Sequence, residues 1–289
     1  MKIKYCVIMT VRERSLDDFR DVLKSLSLQS IRPSFVVIVD DGSSFDVGSV
    51  AAAVLNVVEY VVEKFPEEHA ESWVGRPELA RVHNYALKLV YENEKSKDFE
   101  YLMVLAADTC LEREYVEKVA KAMVRNRAVI ASGYIVEEGI SKVPRGSGRI
   151  FNFKWFRDNV SYFPEAYSWE SYPLYLAWSR GERMLVVNEA KMSVRRATRR
   201  YKPLYGKAMK ELGFSPLFVL GRAVTWALHG HLKDAVGLVT SYLQHPLRDI
   251  YGLSKYVREH EIEKMRELIR KLIVFSYILN KKKPITKYK

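Results

Sequence analysis

Short apolar runs separated by helix-length amphipathic segments fill the first half of the chain, and that alternation is the strongest constraint on its fold. KYCVIMTV at 4–11, SFVVIVDD at 34–41, VEYVVE at 58–63, FEYLMVLA at 99–106 and AVIASGYIV at 128–136 each read as a buried strand. Between them, LDDFRDVLKSLSLQS carries Leu16, Phe19, Leu23 and Leu26 at helical spacing, and further helices are predicted near 47–56, from about Pro77 to Asn93, and over 113–126. Strands and helices in alternation build a parallel sheet covered on both faces, an α/β domain, whose ligands sit beyond the carboxyl ends of the strands.

The rhythm changes after residue 140. A Gly/Arg loop, PRGSGR, leads into an aromatic-rich stretch that runs through Trp178, and from about 201 the pattern is helical to the end. In IEKMRELIRKLIVFSYIL, Ile262, Met265, Ile269, Leu272 and Ile273 share one face, with Lys264, Glu267 and Lys271 off it. Charge follows the same division. Residues 1–188 hold 25 Lys/Arg and 27 Asp/Glu, whereas 189–289 hold 22 and 8, so the net charge of +12 belongs to the last third. Basic helices with interleaved apolar runs suit an anionic lipid surface, and no apolar stretch approaches the roughly 20 residues needed to span a bilayer. The basic third lacks a groove pattern of stacking aromatics or a known module, so nucleic acid is not the expected partner. Cys6 and Cys110 sit in or beside strand-like runs as small hydrophobes, and MKIKYCVIMTV leads into a strand with no small-residue cleavage site. Both point to a reducing, cytoplasmic compartment. The abundance of Lys and Glu suits a thermophile's surface.

The chemistry-bearing segments begin with VVIVDDGSS. Asp40 and Asp41, at the end of a buried strand, are placed to accept hydrogen bonds from a nucleobase or ribose, and Gly42 lets the chain turn. An ordinary strand-to-loop turn is the competing reading of DDGS alone.

Four segments in order, VIMTVRER through VVIVDDGSS, GRPELARVHNYAL, YLMVLAADTCLEREYVEKV and YSWESYPLYLA, resemble the family 2 glycosyltransferases of GT-A fold, over roughly residues 3–190. The resemblance is to an archaeal-like, membrane-associated member. It implies a GT-A (Rossmann-like) nucleotide-sugar-binding domain over 1–200, followed by a basic, amphipathic helical extension, 201–289, at a membrane surface. By the same resemblance, Thr10, Val11, Arg12, Glu13, Asp40, Asp41, Gly42, Arg81, Asn84 and Ala107 are expected to line the nucleotide. Asp108 is expected to hold a divalent cation, Mn²⁺ or Mg²⁺. Where the family has Asp-x-Asp, this chain has Ala106-Ala107-Asp108, and the stretch NEAKMSVRRATRR has no histidine ligand. A hard cation is often held by one or two carboxylates plus phosphate oxygens and water, so Asp108 suffices for weak binding. Arg195, Arg196, Arg199 and Arg200 are expected on the diphosphate or on a lipid phosphate.

Glu170 in YSWESY is the expected general base, taking the proton from an acceptor hydroxyl as it attacks the anomeric carbon. The competing reading has Glu170 opening a helix near 169. Trp155 and Trp169 are the expected acceptor-side aromatics, with core packing the alternative for each. The implied activity is inverting transfer of a hexose from a nucleotide diphosphate sugar, of GDP-mannose or UDP-glucose type. The acceptor is a hydroxyl or lipid-linked glycan on the cytoplasmic face of a membrane. A catalytically degenerate nucleotide-sugar-binding or scaffolding protein is the alternative.

Overall fold

The computed structural model describes residues 3–12, 15–69, 71, 73, 75–195, 202–263 and 266. The chain divides into two compact units, Met1–Tyr201 and Lys202–Lys289.

In the first unit β1 (Tyr5–Val11), α1 (Leu16–Ser27), β2 (Phe35–Asp40), α2 (Val47–Val54) and β3 (Tyr60–Lys64) follow the predicted alternation. Then come α3 (Leu79–Glu92), a 3₁₀ turn, β4 (Tyr101–Val104), β5 (Thr109–Leu111), α4 (Tyr115–Asn126) and β6 (Ala128–Ile135). β7 (Arg149–Asn152), α5 (Phe153–Asn159), α6 (Tyr172–Ser179) and β8 (Arg183–Val194) complete it. One sheet holds all eight strands in the order β3-β2-β1-β4-β7-β6-β8-β5.

Period-two alternation sorts the strand side chains into two cores. Tyr5, Val7, Met9, Val36 and Ile38 face a cluster shared with Phe19, Leu23, Val50, Val116 and Val119 of α1, α2 and α4. Cys6, Ile8, Val37, Val39 and Leu102 face the other, with Val82, Ala86, Val90 and Phe156 of α3 and α5. Both faces are thereby covered, which is why these strands read as continuous apolar runs.

The sheet departs from the all-parallel expectation. β1 to β4 pair in parallel, but β7 runs antiparallel to both β4 and β6, and β5 runs antiparallel to β8. Arg149–Asn152 is too short to show a period of its own and was read as part of a loop and aromatic stretch. Its strand conformation comes from filling the gap between β4 and β6, with Val104 paired to Arg149 and Ala131 to Ile150.

The second unit contains α7 (Lys202–Glu211), α8 (Pro216–Leu228), α9 (Leu232–Gln244) and a helical run at 254–263. Gly206 lets α7 approach α9 closely, since a Cβ there would lie 2.1 Å from the Leu238 carbonyl oxygen. Ser215 caps α8, and Glu261 is buried against its backbone N–H and hydroxyl at 2.7 Å each. Of the expected C-terminal apolar face, only Ile262 is among the described residues.

Candidate functional site

The carboxyl ends of β2, β1 and β4, three neighbouring parallel strands, open on one edge of the sheet. They deliver Asp40–Gly42, Arg12 and the turn leading to Asp108. The two aspartates after β2 divide their tasks. Asp40 Oδ1 accepts from the backbone N–H groups of Gly42 and Ser43, at 3.2 and 2.8 Å, and so builds the turn. Gly42 has φ of 92°, a conformation that side chains resist. The ordinary-turn reading therefore describes Asp40.

Asp41 is different: its side chain is 4% exposed and faces charge. Arg12 donates to the Asp41 carbonyl at 2.7 Å, and its guanidinium lies 3.7 Å from the carboxylate. His69 Nε2 lies 2.8 Å from Asp41 Oδ1, and its Nδ1 lies 2.6 Å from the Glu71 carbonyl oxygen. A carbonyl only accepts, so Nδ1 donates to Glu71, while Arg12 Nη1 lies 3.0 Å from Nε2. Burial raises the Asp41 pKa, with hydrogen bonding to His69 and the charges of His69 and Arg12 opposing it. His69 stacks on Trp73 with ring centroids 3.5 Å apart, and the Arg81 guanidinium lies 5.2 Å from the Trp73 ring centroid. Arg81 also pairs with Glu67 at 2.8 Å and Glu165 at 3.2 Å. His69 and Trp73 were not singled out from sequence, since the loop between β3 and α3 has no periodicity.

Thr10 and Val11 end β1 against Val39 and Asp40, and the Val11 carbonyl accepts from the Asp41 N–H at 2.9 Å. Ala107 is buried in the first core, and Asp108 follows it at 9% exposure in the turn before β5. Ser147 ties this turn to the 144–149 loop: its Oγ accepts from Ala106 N at 3.0 Å and donates to Thr109 Oγ1 at 2.8 Å.

The same loop reaches Glu170. A Cβ at Gly146 would lie 1.6 Å from Glu170 Oε1, so the carboxylate occupies the space a side chain there would need. Arg149, 4% exposed, donates through Nη1 to the Glu170 carbonyl at 2.7 Å, and its Nη2 stands 4.0 Å from Glu170 Oε1. Burial disfavours the guanidinium charge and the Glu170 charge offsets this. Glu170 does not open a helix. α6 begins at Tyr172, and its N-cap, Ser171, makes no side-chain cap bond. The Glu170 side chain remains 54% exposed.

Four placements depart from expectation. Asn84 commits both ends of its amide to the Phe163 backbone, donating at 2.8 Å and accepting at 2.7 Å, so it anchors the loop after α5. Trp155 and Trp169 belong to the second core, where Trp169 packs on Phe163 and His83, so core packing describes both. The Arg195 backbone N–H reaches the Asp108 carbonyl at 3.0 Å, but its guanidinium turns to Asp21 at 2.6 Å. Glu13, Arg196, Arg199 and Arg200 lie outside the described residues. Among the described residues no group of three or more His, Cys, Asp or Glu side chains is assembled to hold a metal.

The fold these elements define is the GT-A-like fold of glycosyltransferases. The chain matches no family model, and no curated protein matches it in sequence. Among solved structures it is similar to TarS of S. aureus, with a TM-score of 0.54 at 18% identity, over 83% of this chain and 43% of that one. This chain therefore spans less than half of that TarS chain. The 1–349 portion of TarS in complex with UDP-GlcNAc superposes with a TM-score of 0.53 at 16% identity, over 83% of this chain and 72% of that one. The mannosyltransferase PcManGT of Pyrobaculum calidifontis, in complex with GDP-Man and Mn²⁺, gives 0.54 at 12% identity, covering 93% of this chain and 82% of that one.

Proposed function

We propose that the chain is an inverting glycosyltransferase that moves a hexose from a nucleoside diphosphate sugar to a hydroxyl or lipid-linked acceptor. The observation that carries this is the convergence at one sheet edge of a buried carboxylate, Asp41, and the Asp108 turn, fastened through one loop to Glu170. Glu170 removes the proton from the acceptor hydroxyl as its oxygen bonds the anomeric carbon and the bond to the diphosphate breaks on the opposite face. Asp41 and Arg12 hold the nucleoside. Asp108 fits a divalent cation shared with diphosphate oxygens and water, and such an ion, when bound, offsets the charge of the leaving group. GDP-Man, bound by PcManGT, supports one expected donor, and UDP-GlcNAc, bound by TarS, extends the candidates beyond GDP-mannose and UDP-glucose.

The test is release of nucleoside diphosphate from these donors with Mn²⁺ present. A second reading, binding without turnover, is favoured by Ala106 standing where a second carboxylate would assist the cation. Tight donor binding with no release would select it.

Asp41→Asn is expected to weaken nucleotide binding about tenfold, because an amide presents one acceptor oxygen where the carboxylate presents two. Wild-type affinity is expected to fall as pH drops through the raised Asp41 pKa, since protonation removes the charge and one of the two acceptor oxygens offered to a base N–H. Titration calorimetry of the wild type at successively lower pH, beside Asp41→Asn, checks both.

The anionic membrane reading draws support from the second unit. Leu217, Leu220, Val224 and Leu228 recur on one face of α8, and all four are exposed, Leu228 at 81%. Leu232, Val236 and Leu243 extend the exposed apolar surface on α9. With +14 in the last third of the sequence, this pattern suits insertion into an anionic interface. No helix among the described residues is long and apolar enough to cross a membrane. Sedimentation with phosphatidylglycerol vesicles is expected to capture the protein, and Leu220→Asp with Val224→Asp to weaken capture at least tenfold, since each apolar side chain withdrawn from water contributes roughly 1.5–3 kcal/mol.

A further inference from the structure

Arg149 is a buried cation whose neighbours are almost all backbone. Nε donates to the Arg145 carbonyl at 2.9 Å, Nη2 to the Pro144 carbonyl at 3.1 Å and Nη1 to the Glu170 carbonyl at 2.7 Å. A planar fork with fixed donor directions is the side chain suited to gathering three carbonyls from two segments, and a lysine has no such geometry. The position along the chain matters equally. Arg149 pairs in register with Val104, the last residue of β4, whose chain continues into the Asp108 turn. Two residues earlier, Ser147 is hydrogen-bonded to both Ala106 and Thr109 of that turn. Three residues earlier, Gly146 lies directly under the Glu170 carboxylate. Pro144 to Arg149 is thus a strap joined to the Asp108 turn through Ser147 and to the Glu170 turn through Arg149 and Gly146.

We propose that Arg149 is a positioning residue for Glu170: by fastening this strap, and with Gly146 leaving room beneath, it fixes where the Glu170 carboxylate stands relative to the Asp108 turn. The inference rests on the reading of Glu170 as the general base. A buried charge is costly to keep for packing alone, and an apolar residue of similar volume would fill the space. The carbonyl bonds account for the loop, whereas the 4.0 Å approach to Oε1 and the seating of that carboxylate over Gly146 concern the carboxylate itself.

The experiment compares Arg149→Met, Gly146→Ala, Glu170→Gln and the double variant Arg149→Met with Glu170→Gln. GDP-mannose and UDP-GlcNAc serve as donors, with Mn²⁺, and donor affinity and single-turnover rate are read separately. Arg149→Met and Gly146→Ala are each expected to lower the rate by about 30-fold or more with donor affinity within about twofold, since neither residue faces the nucleotide end of the site. The double variant is expected to be no slower than Glu170→Gln alone, because Arg149 acts through that carboxylate. A purely structural role predicts the contrary: loss of donor affinity together with rate, and additive losses in the double variant. Should Arg149→Met fail to fold, Gly146→Ala decides, and an unchanged rate there overturns the proposal. If Glu170→Gln itself turns over normally, the base assignment fails. If Glu170→Gln is inactive while Arg149→Met and Gly146→Ala are normal, only the positioning inference fails.

Discussion

Glu170→Gln is expected to lower sugar transfer about a thousandfold, roughly 4 kcal/mol of transition-state stabilisation, while donor affinity changes by less than about twofold. The change is nearly isosteric and removes the carboxylate's charge and with it the ability to take up a proton. The amide still fits above Gly146, and the Glu170 backbone carbonyl that Arg149 holds is unaltered. A side chain 54% exposed and outside any helix cap contributes little to stability, so the melting temperature should hold. Single-turnover kinetics at saturating donor, paired with titration of the same donor, separate the two effects. Equal losses in rate and affinity would instead assign Glu170 to binding.

Asp108→Asn should act at the other end of the reaction. With Mn²⁺ present, donor affinity is expected to fall about a hundredfold, to the level the wild type shows without metal, while affinity for the unphosphorylated nucleoside stays the same. The argument is one of charge. A cation held here would have one protein carboxylate and otherwise the donor's own oxygens and water, so neutralising that carboxylate would remove most of what the protein contributes to holding the ion. Among the described residues nothing assembles a substitute cluster. Asparagine keeps the shape of a side chain that is only 9% exposed, and the Asp108 carbonyl still accepts from Arg195, so the turn should persist. Donor titration with and without Mn²⁺, beside the same titration with nucleoside, checks this. Unchanged metal dependence would move the cation elsewhere.

The sequence made the sheet's first half legible because β1, β2 and β4 bury both faces, and long apolar runs advertise that. Tyr5–Val11 and Phe35–Asp40 and the helices packed on them appear as expected. β7 was not legible, since four residues hold no period and its strand state depends on the gap between β4 and β6. Among site residues, Asp41, Arg12 and Asp108 were visible as polar groups ending apolar strands. His69 and Trp73 were hidden in an aperiodic loop, and their roles exist only through contact with Asp41 and with each other. Asn84 shows the converse: its motif pointed to the donor, but its amide is satisfied by the Phe163 backbone, a pairing across 79 residues that spacing cannot reveal. Trp155 and Trp169 were equally open to two readings, and the fold packs both into the second core. Arg149 carried no motif of its own. Its importance lies in three carbonyls that only the folded chain brings within reach.

The most direct test of the central claim is release of nucleoside diphosphate from GDP-mannose, UDP-glucose and UDP-GlcNAc with Mn²⁺, by the wild type and Glu170→Gln side by side, with donor binding measured on both. The account predicts that at least one donor binds both proteins equally and is turned over by the wild type alone. Failure of every donor to bind, or release at the same rate from both proteins, would contradict it.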